Sequence, residues 1–66
     1  MEKLNKLFSY INFFNKFAYP KLINSDKNYY YFKINKGYLT EINKTYLNEL
    51  NMEQLMDEAL RIIDNY

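Results

Sequence analysis

Apolar residues recur at helical spacing towards both ends of this chain and alternate in its middle. From Glu2 to Ala18, the residues Leu4, Leu7, Ile11, Phe14 and Ala18 fall three and four apart, which places them on one face of a helix. Glu2, Asn5, Ser9, Asn12 and Lys16 take the opposite face, and Pro20 stops the helix, predicted over 2–18. Phe13 departs from the pattern by projecting near Lys6 and Ser9. With Tyr10 and Phe17 it forms a second stripe at i, i+3 and i+7, more apolar surface than one core face needs.

Between Lys21 and Asn28, the side chains of Asn24, Ser25, Asp26 and Asn28 compete for backbone hydrogen bonds, so a loop is expected, with Leu22 and Ile23 as its anchors. Tyr29 to Ile34 then reads as a strand, followed by Asn35-Lys36-Gly37. A type I turn closed by Gly37 in the left-handed conformation makes a three-residue hairpin loop. The hairpin is predicted over about 29–43. Its register puts Tyr30, Phe32, Ile34, Tyr38, Thr40 and Ile42 on one face and Tyr29, Tyr31, Lys33, Leu39, Glu41 and Asn43 on the other, with Tyr31 across from Glu41. A slip of one residue would mix the two sets, so the pattern itself selects the pairing.

Residues 44–50 fit either a longer strand or an early helix start. From Asn51 the helical period returns, predicted over 51–65, with Asn51 as cap and Gln54 reaching back to it. Met52, Leu55, Met56, Ala59, Leu60, Ile63 and Tyr66 share one face. Glu53, Asp57 and Asp64 line its flank, and Arg61 is spaced to pair with Asp57. The fold class is therefore α+β: a small single domain over 1–66 in αββα order, with a two-stranded antiparallel hairpin packed against two amphipathic helices.

Composition sharpens this picture. A chain of 66 residues buries only about 60% of its unfolded surface, which leaves stability marginal unless something compensates. Without Cys or His there is no disulfide and no ordinary zinc or haem site, so large rings, at 20% of the residues, are expected to fill the interior. Asn, Lys, Ile, Tyr and Phe make up more than half the chain and Val is absent, a bias that points to an AT-rich genome such as a low-GC bacterium or its mobile elements. The asparagines in the first seventeen residues argue against a secretory signal, no stretch approaches the ~20 apolar residues that span a bilayer, and a cytoplasmic location is expected.

Charge is sorted along the chain. The first forty residues carry seven lysines against Glu2 and Asp26, and the remainder carries six acids against Lys44 and Arg61, giving about +5 and about −4 within a total of +1.

Reactive chemistry is scarce. Neither His nor Cys is present for proton transfer or covalent catalysis, Ser9 and Ser25 lie in no nucleophile motif, and a single glycine builds no phosphate-cradling loop. No enzymatic activity, cofactor or metal is expected. What remains are surfaces. The acidic flank of Glu49, Glu53, Asp57, Glu58 and Asp64 suits a basic groove on a partner, with carboxylates standing in for phosphates. Tyr10, Phe13, Phe17, Tyr29 and Tyr31 are candidate aromatic contacts. These features lead to the expectation of a non-catalytic protein-binding module, most concretely a phage- or mobile-element-encoded inhibitor of anti-CRISPR or anti-restriction type that occludes a host nucleic-acid enzyme. Two alternatives stand beside it. One is nucleic-acid binding, with Lys27, Lys33 and Lys36 meeting phosphates while Tyr29 and Tyr31 stack on bases. The other is a homodimer or larger homo-oligomer joined through the Tyr10, Phe13, Phe17 stripe or a ribbon edge. Membrane attachment by one short, weakly charged helix is not expected.

Overall fold

The computed structural model describes residues 2–35 and 37–64. Two helices flank the chain as the periodicity predicts: α1 (Glu2–Phe14) and, after a short α2 (Lys44–Glu49), α3 (Met52–Asp64). Between them run β1 (Lys21–Ser25), β2 (Tyr29–Lys33) and β3 (Leu39–Asn43), which form an antiparallel sheet in sequence order. The α+β class stands, with three strands where two were expected, in one compact body of 28 × 25 × 18 Å.

The extra strand comes from the segment predicted as a loop. β1 pairs with β2 through Leu22 opposite Phe32 and Asn24 opposite Tyr31, so Ile23 lies in a bulge between two regular pairings. The bulge separates the two expected anchors: Leu22 packs against the core, whereas Ile23 is half exposed at 51%. Only the end of the predicted loop turns. Asp26 accepts the backbone amides of Asn28 at 2.8 Å and Tyr29 at 2.7 Å, closing the β1–β2 connection. The polar residues that suggested a loop are thus strand-end and turn residues of one hairpin.

The β2–β3 register is the predicted one, with Tyr30 opposite Ile42, Tyr31 opposite Glu41 and Phe32 opposite Thr40. Its turn differs. Asn35 takes the left-handed conformation (φ 57°), not Gly37, while the Gly37 amide bonds back to the Ile34 carbonyl at 2.9 Å. The Asn35 amide also donates to the Ala18 carbonyl, which ties the turn to the segment after α1. The ladder stops at Lys33 and Leu39, so Ile34 enters the core while Tyr38 is exposed.

α1 ends at Phe14, before the predicted boundary. Asn15 accepts the Phe17 amide at 3.1 Å and Asn12 accepts the Tyr19 amide at 3.2 Å, so two asparagines turn the chain ahead of Pro20. Ala18 is buried but sits on this turn. Of residues 44–50, Lys44–Glu49 are helix and Leu50 is extended; the Asn43 side chain accepts the Tyr46 amide at 2.9 Å and caps α2.

The core lies between the helices and one face of the sheet. Leu4, Leu7 and Ile11 of α1 meet Phe32 and Ile42 of the sheet, and Leu55, Ala59 and Ile62 of α3 close it with Leu47 of α2 and Leu50 after it. Contrary to the expectation of an aromatic interior, Phe32 is the only ring completely buried among the described residues; Phe8 packs edge-on against it at 5.1 Å. Small aliphatic side chains from three directions fill the space that two thin layers allow, and the larger rings fall at its margin. Tyr66 and the end of the predicted last helix lie outside the described residues.

The α3 capping box forms as predicted: the Gln54 amide donates to Asn51 and the Asn51 amide to Gln54, both at 2.9 Å. Replacing the cap in Asn51→Ala should cost about 1 kcal/mol. In a domain of this size that lowers the thermal midpoint by roughly 4–8 °C, read by circular dichroism, with Gln54→Ala giving a smaller fall.

Candidate functional site

α1 and α3 lie side by side and run in the same direction. Lys3 of α1 donates to the Leu50 carbonyl just before α3, Lys6 lies 3.7 Å from the Met52 sulfur, and Tyr10 and Phe13 share a hollow with Met56, so the two helices advance in step. Their packed sides bury Leu4, Leu7, Leu55 and Ala59. Their outer sides leave apolar residues in solvent: Phe13 is 78% exposed, Met52 52%, Leu60 41% and Met56 39%. Between them lies a hollow of about 400 Å³ lined by Ser9, Tyr10, Phe13 and Met56. The Tyr10 hydroxyl is 3.4 Å from the Met52 sulfur and helps hold the two walls together.

This strip exists because α3 is apolar over a wider arc than the core accepts. The predicted face is split: Leu55 and Ala59, joined by Glu58 and Ile62, turn inward, whereas Met52, Met56 and Leu60 stay outside and Ile63 lies at the boundary. Glu53, Asp57 and Asp64 are exposed beyond that outer strip. Glu49 is exposed at the end of α2.

Glu58 is separated from the other acids, being only 5% exposed. Its carboxylate accepts the Tyr46 hydroxyl at 2.9 Å and pairs with Arg61, so Arg61 is bound to Glu58 rather than to Asp57. Tyr46 and Leu50 cover that side of α3, and a buried carboxylate requires such partners. The bond to Glu58 raises the Tyr46 hydroxyl above its ordinary pKa and raises that of Arg61 as well. The cluster joins α2 to α3. The Asn43 side chain, three residues before Tyr46, caps α2, and a cap at that spacing is the feature from which the helix carrying Tyr46 could have been read.

The aromatic candidates do not form one surface. Tyr10 and Phe13 border the hollow, but Phe17 lies beyond the end of α1, where Lys16 sits 5.5 Å over its ring. Tyr29 and Tyr31 lie on the uncovered sheet face, half-buried, their rings 6.3 Å apart and tilted 35°. The lysines named for nucleic acid are also dispersed. Lys27 is in the turn before β2, and Lys33 ends that strand about 13 Å away at ordinary strand rise. Lys36 lies outside the described residues. Carboxylates occupy the space between: Glu41 faces Tyr31 across the ladder, and Asp26 accepts the Tyr31 hydroxyl at 2.6 Å.

The Asp26–Tyr31 bond has a titration signature. Tyr31 is pushed up to about 12, chiefly because its hydroxyl donates to Asp26. Asp26 is held below its ordinary value, first by Tyr31 and then by the amides of Asn28 and Tyr29. The phenol's contribution is complete below its ordinary value of 10.0 and is lost as pH rises through about 12. The carboxylate's contribution is complete above the ordinary value of 3.8 and is lost as pH falls through the lower folded value. At pH about 11, above a normal phenol, ring-carbon NMR should show Tyr31 protonated in the wild type and ionised in Asp26→Asn.

Among the described residues, no group of three or more Asp and Glu could hold a metal ion, and no helix is long and apolar enough to cross a membrane. Comparison with known proteins yields no match: no family model, no curated protein and no solved structure resembles the chain significantly.

Proposed function

We propose that this chain is a non-catalytic protein-binding module that acts by covering a surface of another protein. The observation that carries this reading is the outer face of α1 and α3, where Phe13, Met52, Met56 and Leu60 stand in solvent around a hollow beside Glu53, Asp57 and Asp64. Contiguous exposed apolar groups rimmed by polar ones mark interaction sites, and methionine adapts its shape to a partner. The most concrete form is a small inhibitor of anti-CRISPR or anti-restriction type, carried by a phage or mobile element and acting in the host cytoplasm. Its acidic ridge meets the basic groove of a nucleic-acid enzyme while the apolar strip seals the contact. Size, the scarcity of reactive side chains, the AT-rich codon bias and the sorted charge support this form.

Affinity capture from a low-GC bacterial lysate should retain a nucleic-acid enzyme in stoichiometric amount, and adding the chain should lower that enzyme's activity on its substrate. Asp57→Lys and Met56→Glu should each weaken capture at least tenfold. Retention of nothing by the wild type, or equal retention by both variants, defeats the proposal.

Direct nucleic-acid binding by the open sheet is the weaker reading, because Asp26 and Glu41 interrupt the path between Lys27 and Lys33. Phosphate contacts make affinity fall steeply with salt. A gel-shift titration of single strands should therefore show no complex even at low ionic strength; a salt-sensitive complex lost in Tyr31→Ala would favour the rival.

A further inference from the structure

The apolar strip between α1 and α3 is bordered by opposite charges, and their arrangement specifies an occupant. On the α1 side the border carries Lys6, level with Met52, with Glu2 one turn before it at the helix start. On the α3 side it carries Glu53, Asp57 and Asp64. Because the helices are parallel and in step, Lys6 stands near the level of Met52, beside Glu53, and Phe13 near the level of Met56.

We infer that a second copy of this chain docks on that strip about a two-fold axis parallel to the helices. Rotation about such an axis leaves every residue at its own level and exchanges the two sides. α1 of each copy then lies over α3 of the other, which brings Lys6 opposite Glu53 and Phe13 opposite Met56 twice. The other two-fold in the plane of the face, perpendicular to the helices, stacks α1 on α1 and α3 on α3, setting the Glu53, Asp57 and Asp64 ridge against its own copy; like-charge juxtaposition disfavours it. A closed, isologous contact is also the commonest form of self-association.

The packing is chemically matched. Phe13 is too exposed to contribute to its own core, yet it sits at the margin of a hollow walled by Tyr10 and Met56. The ring of one copy entering beside Met56 of the other places aromatic carbon against a polarisable sulfur, a favourable contact that an adaptable side chain can mould. Four helices then enclose an apolar layer that one chain leaves open, adding to the small core of a 66-residue chain. This inference rests on the α1–α3 face being a protein-binding surface; the dimer is the form of the free chain, and a target enzyme competes with the second copy for the same strip.

Sedimentation equilibrium on the wild type tests it. The expected mass is twice that of one chain at tens of micromolar, falling to one chain mass for Phe13→Ser with an unchanged far-ultraviolet circular dichroism spectrum. Lys6→Glu and Glu53→Lys should each weaken self-association about threefold to tenfold at low salt, from two lost exposed pairs. Combining them in one chain should restore it. If Phe13→Ser loses its fold, the charge-swap series decides alone. A wild type that stays monomeric at millimolar concentration overturns the inference, as does a dimer indifferent to Phe13→Ser or to the charge swaps. A monomer that still captures an enzyme overturns the self-docking and leaves the inhibitor reading standing, whereas a dimer that captures nothing does the reverse.

Discussion

Phe32, at the middle of the central strand, is the contact around which this small domain is arranged. It is completely buried, paired with Leu22 on one side and Thr40 on the other, and covered edge-on by Phe8 of α1. A three-stranded sheet in a chain this short has material for one covering layer only. Fixing α1 over Phe32 leaves α3 to pack at the side of α1, where Lys3 reaches the Leu50 carbonyl. The other sheet face, with Tyr29, Tyr31, Lys33 and Glu41, consequently meets solvent. The limited depth of the core is also why Leu and Ile, rather than the abundant rings, occupy it.

That geometry explains why apolar surface is left over. α1 covers the sheet with Phe8 and gives Leu4, Leu7 and Ile11 to the shared core, and Phe13 remains on its outer side. α3 needs only Leu55, Ala59 and Ile62 for the core, and the side nearest α2 is satisfied by Glu58 bonded to Tyr46 and Arg61. Met52, Met56 and Leu60 are thus left outside the buried core, with Met52 touching α1 through Lys6 and Tyr10. Three exposed large apolar residues in register on one helix, beside an exposed phenylalanine on the next, leave more apolar surface in solvent than the core requires, and this imbalance is what supports the proposed binding face.

Periodicity made the helices and the β2–β3 register legible, because both depend on which side chains face inward. It was less informative where local polar groups compete with the backbone. Asn12 and Asn15 end α1 through specific bonds to Tyr19 and Phe17, and nothing in their spacing from Pro20 distinguishes such bonds from solvent exposure in a helix. β1 was hidden because a bulge at Ile23 breaks its alternation and because asparagine and serine serve strand ends as readily as loops. The split of α3 was hidden for another reason. A wide apolar arc on a helical wheel does not state which edge turns inward, and the decision rests with Tyr46, an element away, which makes burial of Glu58 acceptable. Of the candidate residues, those whose placement follows from helix geometry alone, Phe13, Glu53 and Asp57, were found where expected. Glu58 and Phe17 were displaced by contacts that only the tertiary fold supplies.

The sorting of charge along the chain acquires meaning only through this packing. Sequence distance places the lysines early and the acids late, and an antiparallel meander of three strands separates them. An odd number of strands returns α3 parallel to α1, so Lys6 of the basic segment comes to border the same face as Glu53 and Asp57 of the acidic one, while Lys21, Lys27 and Lys33 stay with the sheet. Lys6 and the acids of α3 thus face each other across one helix packing, roughly 8–10 Å, comparable to the screening length at physiological salt. At that range these charges do not draw partners from afar, but they can select how a docked partner is oriented. A surface that is apolar along its centre and polarised across its width binds best to one whose own polarity is reversed, and any partner, whether copy or enzyme, is subject to that same constraint.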